Sequence, residues 1–217
     1  MIPLFLGYDK REAVGYHVCV ESLIRTATAP FTVAPVFGDR RDGTNDFIYS
    51  RFLVPYLCDY QGWAIFADGS DMLFREDIAH LWALRSARNA HAVLVVQRHY
   101  KTRHPRKYIG TDMESHNRDY PCKNWSSLML FNCAHPANRV LTPEYIRQHG
   151  GEHLHTFGWL PSSAVGALPA RWNVLMGEEG EDAECAVAHY TLGIPFFNHY
   201  KKCTRSKEWW DLYHESH

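Results

Sequence analysis

Ile65-Phe66-Ala67-Asp68-Gly69-Ser70-Asp71-Met72-Leu73-Phe74 runs from an apolar stretch into an abrupt acidic turn and back into an apolar stretch. With Trp63 and Ala64 the first run reads as a buried strand, Trp63 to Ala67, being short, apolar and sharply bounded. The two carboxylates then fall at a strand's carboxyl end, where open α/β sheets place their ligands. Hard divalent cations such as Mn²⁺ or Mg²⁺ take carboxylate oxygens and share their shell with substrate phosphates. Asp-Gly after a strand is also a common tight turn, so this stretch alone leaves a cation site and a plain turn both open.

Upstream, Ile2 to Gly7 reads as a strand, Glu12 to Thr26 as a helix and Thr32 to Phe37 as a second strand. The polar run from Gly38 to Asp46 follows, then a helix across Phe47 to Leu57 that sets Phe47, Arg51 and Val54 on one side. Downstream come a short helix near Asp77 to Leu84, a Val-rich strand at Ala92 to Gln97 and a strand at Ser127 to Asn132. A further helix begins at Thr142-Pro143-Glu144, with Pro at its first position and Gly150-Gly151 ending it. Alternating strands and helices predict an α/β fold, a mostly parallel sheet flanked by helices, in a single domain over 1–217. Residues 98–123 lack periodicity and are basic before turning acidic, a pattern that fits a lid over a substrate and equally a mobile surface loop. Residues 198–217 form a C-terminal tail.

Composition narrows the function classes. The 217 residues suffice for one domain, and 46% hydrophobic with 22% charged residues excludes long disorder. Lysine plus arginine number 23 against 24 acids, net charge -1, so the chain has no general attraction for nucleic acid. Six cysteines without a CxxC pair read as free thiols of a reducing compartment, and the N-terminus has no leader pattern, so the expectation is a cytoplasmic protein with no transmembrane segment. The aromatic share of 14%, with seven Trp, offers flat apolar faces for sugars or bases.

Three motifs in order resemble the GT-A-fold glycosyltransferases, and most closely the glycogenin-like and bacterial galactosyltransferase-like group, a retaining family. They are Ser50-Arg51-Phe52 ahead of the strand, the DxD-like acidic turn, and His189-Tyr190-Thr191-Leu192-Gly193-Ile194-Pro195 near the end. The resemblance spans Ile2 to about Phe197. It implies a GT-A-like (Rossmann-like) fold, a Mn²⁺ (or Mg²⁺) cofactor held by Asp68, Asp71 and His189, and a nucleotide-sugar donor, in the first instance a UDP-sugar. The acceptor is an unspecified glycan or other hydroxyl. The spacing Asp68-x-x-Asp71 is one residue longer than the family's DxD, which makes Asp71 the firmer ligand. A lysine that the family places shortly after the glycine of its His-to-Pro motif is absent between Gly193 and Pro195, and its part in neutralising the leaving diphosphate falls to Lys201 or Lys202, with Lys202 the candidate.

Further residues follow from their chemistry and from the same resemblance. Arg51 carries a cationic fork suited to the diphosphate or to bracing an Asp of the turn. Tyr8 and Asp9, ending the first strand, sit where a phenol stacks on a base and an acid accepts from base or ribose. Asn124-Trp125-Ser126-Ser127 resembles the family's Asn-small-Gly strand contacting the transferred sugar, with Trp125 as the departure. Leu168-Pro169 followed by Trp172-Asn173 resembles a Leu-Pro-x-x-Trp-Asn signature, and Gly193 belongs to the His-to-Pro motif. The remaining histidines, including His153 and His155, receive no role. The implied activity is transfer of a sugar from a nucleoside-diphosphate-sugar to a hydroxyl. A nucleotidyltransferase or phosphohydrolase using the same carboxylates, and a nonenzymatic nucleotide-sugar-binding or glycan-binding module, are the rival readings.

Overall fold

In a computed structural model the described residues are 1–38, 45–179 and 184–216. The polar run from Gly38 to Asp46 lies, at 39–44, outside them, as does the tail's last residue.

In chain order the elements are β1 (Ile2–Gly7), α1 (Ala13–Thr26), β2 (Phe31–Val36), α2 (Val54–Leu57), β3 (Trp63–Ala67), β4 (Met72–Phe74), α3 (Ile78–Ala83) and β5 (Val93–Val95). The segment after β5 carries only a two-stranded ribbon, β6 (Arg106–Lys107) against β7 (Ser115–His116). Then come β8 (Leu128–Asn132), α4 (Pro143–Gln148), α5 (Gly151–His155), β9 (Val165–Ala167), β10 (Val174–Leu175), β11 (Val187–His189) and α6 (Ser206–Ser216).

Six strands form the main sheet in the order β2-β1-β3-β8-β5-β9. The pairings β1/β2, β1/β3 and β5/β9 are parallel, while β8 runs antiparallel to both β3 and β5. The sheet is therefore mixed, with the parallel pairings in the majority. Successive strand side chains point to opposite faces. Ile65, Leu94, Leu128 and Leu130 join Leu4, Leu6, Cys19, Leu23 and Ile78 in one core, on the side of α1 and α3. Phe66, Val93, Val95, Met129 and Phe131 join Phe52, Leu141, Ile146 and Leu154 in a second, on the side of α2, α4 and α5. Burial on both faces explains why these strands are uninterrupted apolar runs.

Two local differences from the sequence reading have simple causes. Between Phe47 and Leu57 the chain makes a turn, a 3₁₀ segment at Ser50–Leu53 and one turn of α2, not a continuous helix; Pro55 lies in the first turn of α2, where no intrahelical donor is needed. Thr142 caps α4 through Tyr145 N, as the Thr-Pro pattern predicts, but α4 ends at Gln148 and Gly150 is the N-cap of α5. Residues 98–123, irregular apart from the ribbon, are bonded to the rest of the chain: the Tyr108 and Arg103 amides donate to the Leu192 carbonyl (2.6 Å) and Glu178 Oε2 (2.7 Å), and Asn117 Nδ2 donates to Glu178 Oε1 (3.1 Å).

A second sheet, β10-β11-β4, positions the chemistry. β11 lies antiparallel to β4 with His189 opposite Met72, and the Tyr190 amide donates to the Asp71 carbonyl at 2.8 Å. That register delivers a histidine 118 residues downstream to the flank of the acidic turn.

Candidate active site

The acidic turn is a 3₁₀ segment, Gly69–Asp71, with Asp68 at its N-cap. In a 3₁₀ helix, residues three apart eclipse one another. The extra residue that lengthens the motif thus returns Asp71 to the side of Asp68, and both buried carboxylates reach one small cavity. One oxygen each from Asp68 and Asp71 and one ring nitrogen of His189 lie within 4.8 Å of one another. α1 backs the turn closely, since a Cβ on Gly15 would stand 2.0 Å from the Ser70 carbonyl oxygen.

The state of His189 follows from its neighbours. Asn173 Nδ2 donates to the Asn124 carbonyl at 2.9 Å, which directs Asn173 Oδ1 towards His189 Nδ1 at 2.8 Å. An amide oxygen only accepts, so Nδ1 carries the hydrogen and Nε2 faces Asp71 Oδ2, 3.3 Å away. A ring lone pair and a carboxylate oxygen repel unless positive charge lies between them, as a second ring proton or a metal ion. Asp68 Oδ1 and Asp71 Oδ1 are also buried without an aligned hydrogen bond, and a single ring proton would serve neither. The donor set, two carboxylates and one imidazole oriented through its other nitrogen, fits a divalent ion.

Arg51 is 2% exposed, and its Nη1 lies 2.8 Å from Asp68 Oδ1, an ion pair lacking hydrogen-bond alignment. The same nitrogen donates to the Ser126 carbonyl at 3.0 Å, and the guanidinium rests 5.1 and 5.2 Å from the Phe47 and Phe66 ring centres. Arg51 therefore braces the turn. Burial lifts the Asp68 carboxyl to about 6; Arg51 opposes the lift and Asp71 adds to it.

Asn124-Trp125-Ser126-Ser127 runs along the same wall. Asn124 adopts a left-handed backbone (φ 61°), and its Nδ2 donates to Tyr100 Oη at 2.8 Å. Ser127 accepts the Asp68 amide through its carbonyl at 2.8 Å. Ser126 Oγ meets His155 Nδ1 at 2.7 Å, and burial followed by the field of Arg51 pushes the His155 pKa down to about 3, so that ring is neutral. Trp125 Nε1 donates to the Arg98 carbonyl, and Trp125 does not line the cavity around the carboxylates.

Other predicted residues stand apart. Asp9 is fully buried with both oxygens engaged: Oδ1 accepts from the Arg11 amide and Nε at 2.9 Å, and Oδ2 from Arg11 Nη2 at 2.6 Å and the Asp46 amide at 3.0 Å. Burial raises its pKa, but the Arg11 hydrogen bonds outweigh that and hold it below the usual range. Asp9 is thus a structural cap, not a free acceptor for base or ribose. Tyr8 packs edge-on against Tyr16 and Phe37. Gly193 is required by its fold position (φ 148°, the Tyr200 ring 2.4 Å from where a Cβ would stand) and is absent from the cavity wall. Lys201 and Lys202 are exposed in the turn before α6 and do not reach the cavity.

Lys107, Tyr108, Tyr120 and His155 were not singled out in the sequence, yet all four line the cavity with Asp68, Asp71 and His189. Lys107 and Tyr108 lie in an aperiodic loop, and the only acid near His155 in sequence, Glu152, gives no metal-ligand or catalytic pattern with it. The cavity shares Lys107, Tyr108, Asn124, His155 and Thr191 with a larger one of about 610 Å³ under the 106–124 segment, a volume suited to a small organic ligand.

This architecture is that of the GT-A glycosyltransferases. The bifunctional glycosyltransferase WbbM matches 98% of this chain with a TM-score of 0.65 at 15% identity, and the chain spans about half of it, 49%. The galactosyltransferase LgtC, solved with donor and acceptor sugar analogues, matches 99% of this chain and 96% of its own, TM-score 0.65 at 12% identity. By sequence the chain belongs to the family of Protein CDI of Arabidopsis thaliana, to which it is 35% identical over 223 residues, covering 95% of this chain and 83% of that protein. No family model matches the chain.

Proposed function

We propose that this protein is a metal-dependent glycosyltransferase that moves a sugar from a nucleoside-diphosphate-sugar, a UDP-sugar in the first instance, to an acceptor hydroxyl. The observation that carries the reading is the buried Asp68, Asp71 and His189 cluster, with Asp71 Oδ1 left without a hydrogen-bond partner, in a small cavity that shares wall residues with a ligand-sized one, in a GT-A fold. These three residues would hold Mn²⁺ or Mg²⁺, which when bound supplies Lewis-acid stabilisation of charge developing on the leaving diphosphate.

The chain's own residues do the rest. Asn173 holds the His189 ring, and Arg51 fixes Asp68 against the Ser126 carbonyl. Asn124 and Thr191 line both cavities, and they are the proposed contacts to the transferred sugar. Tyr8, at the end of β1, is the proposed stacking surface for the base. The segment over the cavity acts as a cover that limits water. The attack by an acceptor hydroxyl at the anomeric carbon expels the nucleoside diphosphate with the bonding electron pair. Six free cysteines support a reducing, cytoplasmic setting, and no helix among the described residues is long and apolar enough to cross a membrane.

The test is a thermal-shift panel of nucleotide-sugars with and without Mn²⁺, since a ligand binding only the native state raises its stability. A shift of the midpoint with a nucleoside-diphosphate-sugar in the presence of metal is the expected result, followed by detection of free nucleoside diphosphate when an acceptor is added. If no diphosphate nucleotide stabilises the protein in metal, the reading fails.

A further inference from the structure

Lys107 stands out among the groups that line the cavity. Its ammonium has no ion pair within 4 Å and no hydrogen bond among the described residues, whereas of the other basic residues lining the two cavities Arg51 is held by Asp68 and Arg11 by Asp9, and Arg118 is exposed. The Tyr108 ring centre lies 5.4 Å from Nζ, and the carboxylates of Asp71, Glu12 and Asp68 act on the ammonium through their charge. The side chain projects into the small cavity that also holds Asp68, Asp71 and His189, and it lines the larger cavity as well. It thus sits at the boundary between the cation cluster and the ligand space.

The backbone holds Lys107 there from both sides. Lys107 pairs with Ser115 across the β6/β7 ribbon. The next residue, Tyr108, is a bulky non-glycine at φ 56°, a conformation that persists only where surroundings enforce it. Its amide donates to the Leu192 carbonyl at 2.6 Å, its ring is buried, and the Ile109 amide donates to Tyr200 Oη at 3.0 Å. An unpaired lysine on so constrained a backbone is preorganised for a ligand. A lone ammonium is a strongly hydrated point charge with three donors, suited to phosphate oxygens.

Resting on the glycosyltransferase reading above, we propose that Lys107 is the residue that grips the diphosphate of the nucleotide donor, the part the sequence assigned to Lys202. The ribbon is then a donor-binding element, and a phosphate-bearing ligand ties it to the acidic turn. Lys123, also on this segment and lining the larger cavity, does not compete for the part, because its Nζ is already committed to Asn117 Oδ1 and the Arg118 carbonyl, both at 2.6 Å.

The experiment is calorimetric titration of UDP and of uridine, both with Mn²⁺ present, into wild type, Lys107→Met, Lys107→Arg and Lys202→Met, each first checked for wild-type thermal unfolding. Loss of a charge-assisted contact to phosphate predicts that Lys107→Met weakens UDP roughly tenfold to a hundredfold and leaves uridine unchanged. Lys107→Arg should recover part of the affinity, and Lys202→Met should bind as wild type. Wild-type UDP affinity in Lys107→Met, or equal losses for UDP and uridine, overturns the assignment to Lys107 while leaving the glycosyltransferase reading intact. Absence of UDP binding by the wild-type protein together with failure of every diphosphate nucleotide in the thermal panel overturns both.

Discussion

Asn173 Oδ1 lies 2.8 Å from His189 Nδ1, and the same amide is anchored through Nδ2 to the Asn124 carbonyl at 2.9 Å. The contact fixes which ring nitrogen faces Asp71. Partners of this kind typically alter metal affinity by about tenfold to a hundredfold when removed. Asn173→Ala should therefore weaken Mn²⁺ binding by about that factor while keeping the fold, and His189→Ala should weaken it further. Titration of Mn²⁺ by calorimetry, with circular dichroism as the control for folding, checks the order of the two variants. Equal affinity in Asn173→Ala and wild type would remove Asn173 from the cluster's support.

How much of this was legible in the sequence depends on what each feature rests on. β1 and β3 were readable to the residue because apolar runs end there at Gly7 and at Asp68. The direction of β8 was not, since a strand buried on both faces has the same pattern parallel or antiparallel. Asp71 and His189 were legible as types, but their meeting depends on the β4/β11 register, which short strands do not encode locally. The Asp68-x-x-Asp71 spacing looked like a defect until the 3₁₀ turn set both carboxylates on one side. Lys107 lay hidden because its position is set by Leu192 and Tyr200, some ninety residues away.

A pH dependence follows from Asp68, whose carboxyl burial raises to about 6, with Arg51 and Asp71 acting in opposite senses. Below that value the carboxyl holds a proton that a metal ion must displace; above it the ligand is already ionised. Mn²⁺ affinity should fall as pH drops through 6 and level off above about 7, with proton release on binding detectable at pH 5.5 and small at pH 8. Calorimetry in buffers of different ionisation enthalpy measures that release. In the absence of metal the sign reverses. A raised acid pKa means the native state binds more protons between 3.8 and about 6, so Asp68 makes the protein less stable as pH rises through that window.

Arg51 is the principal stabilising partner of a buried carboxylate, so removing it should have a large effect. Arg51→Met leaves Asp68 uncompensated and the Ser126 carbonyl without its donor. Removing one member of a buried pair costs about 3–5 kcal/mol. Urea unfolding at pH 8 should show a loss of that order, and a smaller one at pH 5, where Asp68 takes up a proton instead. The double variant Arg51→Met/Asp68→Asn should recover much of the stability and none of the Mn²⁺ affinity. A double variant no more stable than Arg51→Met would show that the guanidinium acts through its packing on Phe47 and Phe66, not through Asp68.

The acidic turn depends as much on what α1 omits as on what the turn contains. Gly15 faces the Ser70 carbonyl, and a Cβ there would stand 2.0 Å from that oxygen, with the Ile194 side chain 3.2 Å away on another side. Ser70 lies between the two carboxylates, and its Oγ also contacts the Asp9 amide and the Gly7 carbonyl, both at 3.4 Å. The clash is with a backbone atom, which cannot rotate aside as a side chain can, so Gly15→Ala must either move α1 off the sheet or displace the 3₁₀ turn. Overpacking of this kind costs typically about 1–3 kcal/mol. Because the strain falls on the turn, Mn²⁺ affinity should drop more than in a control of similar stability loss, such as Ile78→Val in the core beneath α3. Thermal unfolding and metal titration on the two variants separate the effects: parallel losses would mean that Gly15 serves packing alone, whereas a metal defect confined to Gly15→Ala would show that α1 holds Asp68 and Asp71 in register.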